Sequence, residues 1–479
     1  MGKDFLTYLP AGSFLLFQPL LFSAKDFSLM TMTLAAWLTL DPIARSDAAC
    51  ESRAAAAKSA VSHGTYIFVA DESDFDAEVQ AGGKASWSGV PIAVKDNIDV
   101  AGFPTTGGAS FLANSIPQID AGVVGRMRQL GTVIVGKTNL HELAFGITSN
   151  NGAFGPVRNP VNPFLSAGGS SGGSAATVAD GTVPLSLGTD TGGSISIPAA
   201  FCGVAGFRPS LGRYQGDGVL HLSWTRDTIG THANTVADLR LADEHISEQP
   251  RVPALPLPSE LAVGIANYFY QDLDPAVAKV AEQALNALTR SGVRLINVDL
   301  PPHFTHAEEV GRTVVGWEAP RSILAYLRGL DAPYCGLTFE DVIAGTSSPD
   351  VAKLLQHLRD DPVLPEEYRQ AMKARWQLRH AYASVLSEAG VNAMIFPTSP
   401  VLPPHLGLDK TLTLNGRDLP IFPTVTRHTA PGTVMGVPMV TLPAGRAEGL
   451  PVGMTLEGGF FTDPALLALA ETVESVLVS

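Results

Sequence analysis

Residues 166–177 read SAGGSSGGSAAT, and two incompatible structures are written this way. A flexible tether is rich in Gly and Ser because neither residue stiffens the chain. A catalytic loop is rich in Gly because amides without neighbouring Cβ atoms can crowd against a reacting atom. The residues that follow decide between them. A tether continues as patternless polar chain, but this string runs into AATVADGTVPLSLGTD (175–190) and then a second cluster, TGGSISIP (191–198). Residues 174–181 read as a helix and PLSLGTD (184–190) as a buried strand. Two Gly-Gly-Ser turns therefore bracket one helix–strand unit and meet at the same end of a sheet. The tether reading fails.

The same alternation extends in both directions. Upstream, TYIFVA (65–70), GVPIAVKD (89–96) and TVIVGKT (132–138) are strand-like, AGVVGRMRQL (121–130) has helical spacing, and the alanine-rich stretch 34–62 reads as one or two helices. Downstream, LAVGIAN (261–267), VRLINVDL (293–300), VNAMIFPTS (391–399), GVPMVTLPAG (436–445) and PVGMTLEG (451–458) read as strands. Helices are expected over 274–292, with Asp274 as N-cap and Pro275 in the first turn, over 365–390, and over 463–477. This predicts one large α/β protein, its mixed or parallel sheet covered by helices. RVPALPLPSE (251–260) is a connector.

The N-terminal run FLTYLPAGSFLLFQPLLF (5–22) is apolar, but Pro10 and Pro19 interrupt it and the charges of Lys3 and Asp4 cancel. It can be read as a signal-peptide core, though these features count against that, and it is too interrupted for a membrane span. With Met30 and Met32 as internal start candidates, residues 1–32 are set apart as an N-terminal extension.

Composition narrows the function. Apolar residues make up 45% and charged residues 16%, which favours a large buried interior over disorder. A net charge of −14 with no basic run argues against nucleic-acid binding. Cys50, Cys202 and Cys335 are too scattered for a CxxC site and too few for a disulfide framework, so a cytoplasmic location is expected.

Three motifs are decoys. GTVIVGKT (131–138) satisfies the phosphate-loop pattern, yet its variable positions spell a strand where that motif needs a loop. GGSSG (168–172) satisfies the nucleophile-elbow pattern, but RNPVNPFLSA (158–167) before it is loop, whereas an elbow follows a strand directly. His141 and Glu142 in NLHELAFG lack a metal-binding spacing, and His141 reads as a local hydrogen-bonder. No metal and no cofactor are called for.

What remains is a serine in a glycine turn. Thr191-Gly192-Gly193-Ser194 offers a nucleophile together with exposed amides for an oxyanion. No histidine lies near in sequence, so the base must be another group. Lys95 ends an apolar strand, where burial would push its ammonium towards neutrality. Taken alone it is equally readable as a solvated surface charge.

Taken together these residues resemble the amidase signature family. The resemblance is carried by PIAVKDNIDVAGFPTTGG around Lys95, GKTNLHELAFGITSNNGAFGPVRNP (136–160), GGSSGGS, GTDTGGSISIPAAFCGVAGFRPS (188–210) and PVGMTLEGG (451–459). Within the family it is closest to indoleacetamide and mandelamide hydrolases, through SLGRYQGDGV (210–219), SWTRDTIG (223–230) and FYQDLD (269–274). The resemblance implies the amidase signature fold, a large mixed sheet with helices on both faces, over residues 33–479. It implies a catalytic core at about 87–245 and a pocket-forming half at about 260–479. It implies a triad of Ser194 as nucleophile, Ser170 as a bridging serine on a cis peptide bond, and Lys95 as base. The oxyanion hole falls on the amides of Thr191, Gly192 and Gly193, and the substrate pocket on Phe145, Gly146, Ile147 and Ser149.

The implied reaction is hydrolysis of a neutral aryl or arylalkyl amide by a monomer or homodimer, with no nucleic-acid or membrane partner. Two alternatives stay open. One is the same chemistry on carbamates (urethanes), anilides or esters; the other is an amidotransferase-like subunit active only in a complex. One departure stands out: Val434 in TVMGVP occupies a place where relatives usually carry Asn.

Overall fold

Apolar runs without alternation mark strands covered on both faces, and three such runs lie side by side in the sheet. The computed structural model describes residues 32–478 apart from 82, 84 and 253; the stretch 5–22 and Met30 lie outside the described residues. After β1 (Tyr66–Val69) come β2 (Pro91–Lys95), β3 (Val133–Thr138) and β4 (Leu185–Asp190), the last three buried at every residue. They are followed by β5 (Ala205–Arg208), β6 (Thr228–Ala233), β7 (Ala262–Ile265), β8 (Arg294–Asn297) and β9 (Ala393–Pro397). A separate hairpin joins β10 (Thr411–Leu414) to β11 (Arg417–Pro420), and β12 (Met439–Ala447) and β13 (Leu450–Glu457) complete the set.

Eleven strands form one mixed sheet in the order β1-β3-β2-β4-β6-β5-β12-β13-β9-β7-β8. β2 runs parallel to β3 and β4, and β7 to β8 and β9; the other pairings in this sheet are antiparallel. The β5–β12 pairing makes the sheet continuous between the two halves of the chain. Period-two alternation separates its faces: Ile92 and Val94 join a core with Leu187, Phe207 and Leu467, while Ala93 joins one with Val135, Ala175 and Ala176. Helices cover both faces, as expected.

Most expected elements sit where the pattern places them. The helix Pro275–Arg290 starts as read, with the Asp274 side chain accepting from the Ala276 amide at 2.8 Å. The helix after GGSS begins two residues earlier than expected, at Gly172. Gly173 lets it pack on bare backbone: a Cβ there would lie 2.4 Å from the Asn139 carbonyl oxygen and 2.5 Å from that of Thr65. The connector 251–260 holds one short 3-10 turn, Pro258–Glu260. Among the elements not anticipated were β5, β6, the β10–β11 hairpin, the short helix Ser196–Cys202, and the helices Glu72–Ala81, Val236–Ser247, Ala307–Arg328, Phe339–Gly345 and Pro349–Asp360.

Candidate active site

Parallel strands bring their C-terminal ends together, and loops beyond those ends are where an open α/β sheet places chemistry. β2 ends at Lys95 and β4 at Asp190, on adjacent strands. Lys95 shares the face of Ala93 by alternation. The helix Gly172–Ala179 covers that face and delivers Ser170 from the loop at its N-terminus.

Lys95 is sealed from solvent, with 0% of its surface exposed. Its Nζ lies 2.9 Å from Ser170 Oγ, 2.7 Å from Thr189 Oγ1 and 3.3 Å from the Thr189 carbonyl oxygen. Burial lowers its pKa from 10.5 to about 7, against the opposing pull of Asp190 and Asp227. The surface-charge reading of Lys95 is thereby excluded. Asp96, the next residue, turns to the other face as alternation requires, and its Oδ1 pairs with Lys137 Nζ at 3.2 Å. Lys137 is the lysine of the phosphate-loop decoy; its strand is real and its ammonium is committed to Asp96, Pro104 and Thr105.

The Gly169–Ser170 peptide bond is cis. Ser170 is held from its carbonyl side, which accepts from the His141 amide at 3.1 Å and from Ser149 Oγ at 3.4 Å. The Ser171 amide donates to the Ser194 carbonyl oxygen at 3.3 Å, tying the two glycine turns together. Ser170 meets Lys95 directly, while Ser194 Oγ has no hydrogen-bond partner among the described residues.

Asp190, which sequence reasoning did not single out, organises the second turn. Its Oδ1 accepts from the Gly193 amide at 3.0 Å and from Arg208 Nε at 3.1 Å, and its Oδ2 from the Ile195 amide at 2.7 Å. Among the three amides named for the oxyanion, that of Gly193 is therefore committed to Asp190, while those of Thr191 and Gly192 donate to no acceptor among the described residues. Gly193 has φ +123°, and a Cβ on it would lie 2.3 Å from Thr429 Oγ1; a Cβ on Gly192 would meet nothing within 4 Å. The turn thus opens outward at Gly192.

The other expected pocket residues divide. Phe145 packs into a cluster with Leu220, Leu222 and Ala319, whereas Ile147 packs with Ile197, Phe201 and Val425. Gly146 lies under the His141 ring, where a Cβ would approach Cε1 to 2.2 Å. Ser149 is fully buried and supports the Ser170 loop, its Oγ also accepting from the Gly172 amide at 3.2 Å. Leu143, Ala144 and Ser149 all have positive φ, and such backbone clusters at functional sites. His141 bonds Thr148 at 3.3 Å, the local hydrogen bond expected of it, and also Asp350 at 2.9 Å from a distant part of the chain. Val434 is wholly buried in a core that includes Phe304, Tyr382 and Phe396. A histidine that sequence distance concealed, His232, bonds the Ile195 carbonyl at 3.1 Å; burial, assisted by Lys95, pushes it down to about 4.

A mixed sheet of this order, with a buried lysine–serine pair beyond the end of β2, defines an α/β fold that suits a hydrolase acting through serine. The comparisons agree: the family model Amidase matches residues 48–467, and the chain belongs to the amidase signature family. It is 38% identical over 398 residues to an indoleacetamide hydrolase of Rhizobium radiobacter, covering 81% of this chain and 84% of that one. It is 36% identical over 429 residues to a mandelamide hydrolase of Pseudomonas putida, covering 84% and 81%. A crystal structure of an amidase superposes with a TM-score of 0.78 at 32% identity, covering 91% of this chain and 96% of that one. The protein is a hydrolase acting on carbon–nitrogen bonds. Among the described residues no helix is long and apolar enough to cross a membrane.

Proposed function

We propose that the protein hydrolyses neutral aryl or arylalkyl amides through an acyl-enzyme on Ser194, with Lys95 as base and Ser170 as relay. One observation carries the reading: a solvent-sealed lysine with a pKa of about 7 touches a serine at 2.9 Å. A neutral amine has two hydrogens and one lone pair. Thr189 supplies two acceptors, its carbonyl and its hydroxyl oxygen, which leaves the lone pair for the Ser170 hydroxyl proton.

Ser170 passes that proton to Lys95 and takes the Ser194 proton as Ser194 Oγ attacks the amide carbon. The oxygen that becomes anionic is met by the amides of Thr191 and Gly192, with Gly193 holding the turn on Asp190. Protonated Lys95 returns the proton through Ser170 to the departing nitrogen. Water, deprotonated along the same path, then releases the acid. The Ser194–Ser170 hydrogen bond is one that forms on substrate binding, as catalytic contacts commonly do.

The apolar loop with Phe145 and Ile147, and the names of the indoleacetamide and mandelamide hydrolases, support an uncharged aromatic amide. The substrate is a small molecule, and residues 33–479 act as one unit. Unpaired Cys50, Cys202 and Cys335 suit a reducing compartment, which supports a cytoplasmic enzyme.

The test is labelling by an aryl fluorophosphonate followed by peptide mapping, with a panel of amides, anilides, esters and carbamates run on the purified chain. Label on Ser194 and turnover of aryl amides by the chain alone are expected. Ser194→Ala should abolish turnover, and Lys95→Ala and Ser170→Ala should each cost on the order of 10³-fold. Label on Ser170 or Ser223, near-full activity in Lys95→Ala, or activity only with a partner present would overturn the reading.

A further inference from the structure

The antiparallel register of β4 and β6 ends with Asp190 opposite Thr228, so the turn 223–227 before β6 lies beside the turn 191–194 after β4. The first of these turns is firmly held. Glu318 accepts from Thr225 Oγ1 at 2.8 Å and from the Thr225 amide at 3.2 Å, and Asp227 Oδ2 accepts from the Leu222 and Ser223 amides at 2.7 and 3.1 Å. Arg226 projects from it into the protein and is 5% exposed.

The partners of Arg226 are unusual for a buried guanidinium. Nη2 donates to the Thr191 carbonyl oxygen at 2.8 Å and to Thr433 Oγ1 at 3.3 Å, Nη1 donates to the Gly311 carbonyl oxygen at 2.8 Å, and buried Nε has no acceptor. Every hydrogen-bond acceptor it has among the described residues is neutral. Arg208, by contrast, reaches the Asp190 carboxylate. A buried cation without a contacting carboxylate is costly to maintain, and its surroundings lower the pKa of Arg226 to about 10 by burial.

The Thr191 carbonyl and the Gly192 amide are two ends of one peptide plane. Arg226 grips the carbonyl end; the amide end is unengaged, at the residue where the turn opens outward. A charge-assisted hydrogen bond to a carbonyl fixes the plane and polarises its N–H into a stronger donor. We propose that Arg226 is a positioning residue for the oxyanion site, orienting and polarising the Thr191–Gly192 peptide so that its N–H stabilises the tetrahedral oxygen. The inference rests on the Ser194 reading above and adds a residue to it.

A group that acts only on the oxyanion has a recognisable signature. An aryl trifluoromethyl ketone reports on it: Ser194 Oγ adds to the ketone carbon, the serine proton passes through Ser170 to Lys95, and the carbonyl oxygen becomes an alkoxide. Removing a direct oxyanion donor costs about 10²–10³-fold in kcat; acting through the peptide, loss of Arg226 in Arg226→Met should cost roughly 10–100-fold. Ketone affinity should fall in parallel with kcat/KM while KM for the amide stays within about threefold. Arg226→Lys, which keeps a cation able to reach the Thr191 carbonyl, should recover part of both losses. Arg226→Gln should recover less.

Fluorophosphonate labelling of the wild type is run alongside. Failure to label Ser194 overturns the acyl-enzyme reading. Labelled wild type with unchanged ketone affinity in Arg226→Met overturns only the role of Arg226, as does a loss confined to KM. If Arg226→Met does not fold, the order of ketone affinity decides, with wild type above Lys and Lys above Gln expected; equal or reversed affinities overturn the inference.

Discussion

Asp190 Oδ1 lies 3.1 Å from Arg208 Nε, and both side chains are wholly buried. Arg208 also donates to the Val437 carbonyl at 2.8 Å and the Arg226 carbonyl at 3.1 Å, so this pair joins the glycine turn to the second half of the chain. Removing one partner of a buried pair leaves an uncompensated charge. Asp190→Ala should therefore destabilise the protein by roughly 3–5 kcal/mol and release the Gly193 and Ile195 amides. Urea unfolding checks the first effect and amide turnover the second. Wild-type stability in that variant would mean that Arg208 has another anion.

The two glycines of the turn should respond differently. Gly193→Ala forces a side chain into φ +123° and against Thr429 Oγ1, and the backbone strain alone should cost roughly 1–3 kcal/mol. Gly192→Ala meets open space, so its stability should stay within about 0.5 kcal/mol of wild type. Its methyl group instead intrudes where substrate is expected, and the loss should appear in kcat/KM. Thermal unfolding with steady-state kinetics on both variants separates these outcomes. Equal destabilisation would contradict the geometry of the turn.

Lys95 links function to stability with a definite sign. Its pKa is about 7 folded against 10.5 as an ordinary lysine, so between these values the unfolded chain binds a proton that the native protein does not. Wild-type stability thus gains from this group as pH rises, by at most about 1.4 kcal/mol per pH unit within the window. Lys95→Met lacks the term. Its stability relative to wild type should grow as pH falls from about 10.5 to about 7, then level off. Glu457, raised to about 8, and Glu474, raised to about 7, are common to both proteins and cancel in the difference. A difference independent of pH would show that Lys95 does not titrate in this window.

The sheet was legible where residues are buried on both faces, because continuous apolar runs such as PIAVK and VIVGKT leave little choice of structure. β5 and β6 were not. Ala205–Arg208 and Thr228–Ala233 carry Gly206, Gly230 and His232 at positions that dilute the apolar signal. Gly230 is required there by close packing, since a Cβ would lie 2.5 Å from the Phe207 carbonyl oxygen. The helix Ala307–Arg328 was hidden by Pro320 in its interior and by apolar residues scattered around its circumference. In the candidate site, Lys95, Ser170 and Ser194 carry roles that the recognisable strings imply, whereas Asp190, Thr189 and Arg226 stand in the same kind of string but make contacts set by strand register and turn packing. The acid preceding TGGS was the visible clue to Asp190; Arg226 stands in SWTRDTIG, a string that carries the resemblance without assigning this residue a role.

The most direct test of Lys95 as base is the pH dependence of kcat/KM for an uncharged aryl amide, measured on wild type and on His232→Asn. Protonation disables a lysine base, so activity should fall as pH drops through the folded pKa and reach a plateau above it. The account predicts a single ionisation near 7, the value to which burial brings Lys95, with the same midpoint in His232→Asn, since His232 titrates near 4. A midpoint that moves or vanishes with the histidine, or a profile flat from pH 5 to 9, would contradict it.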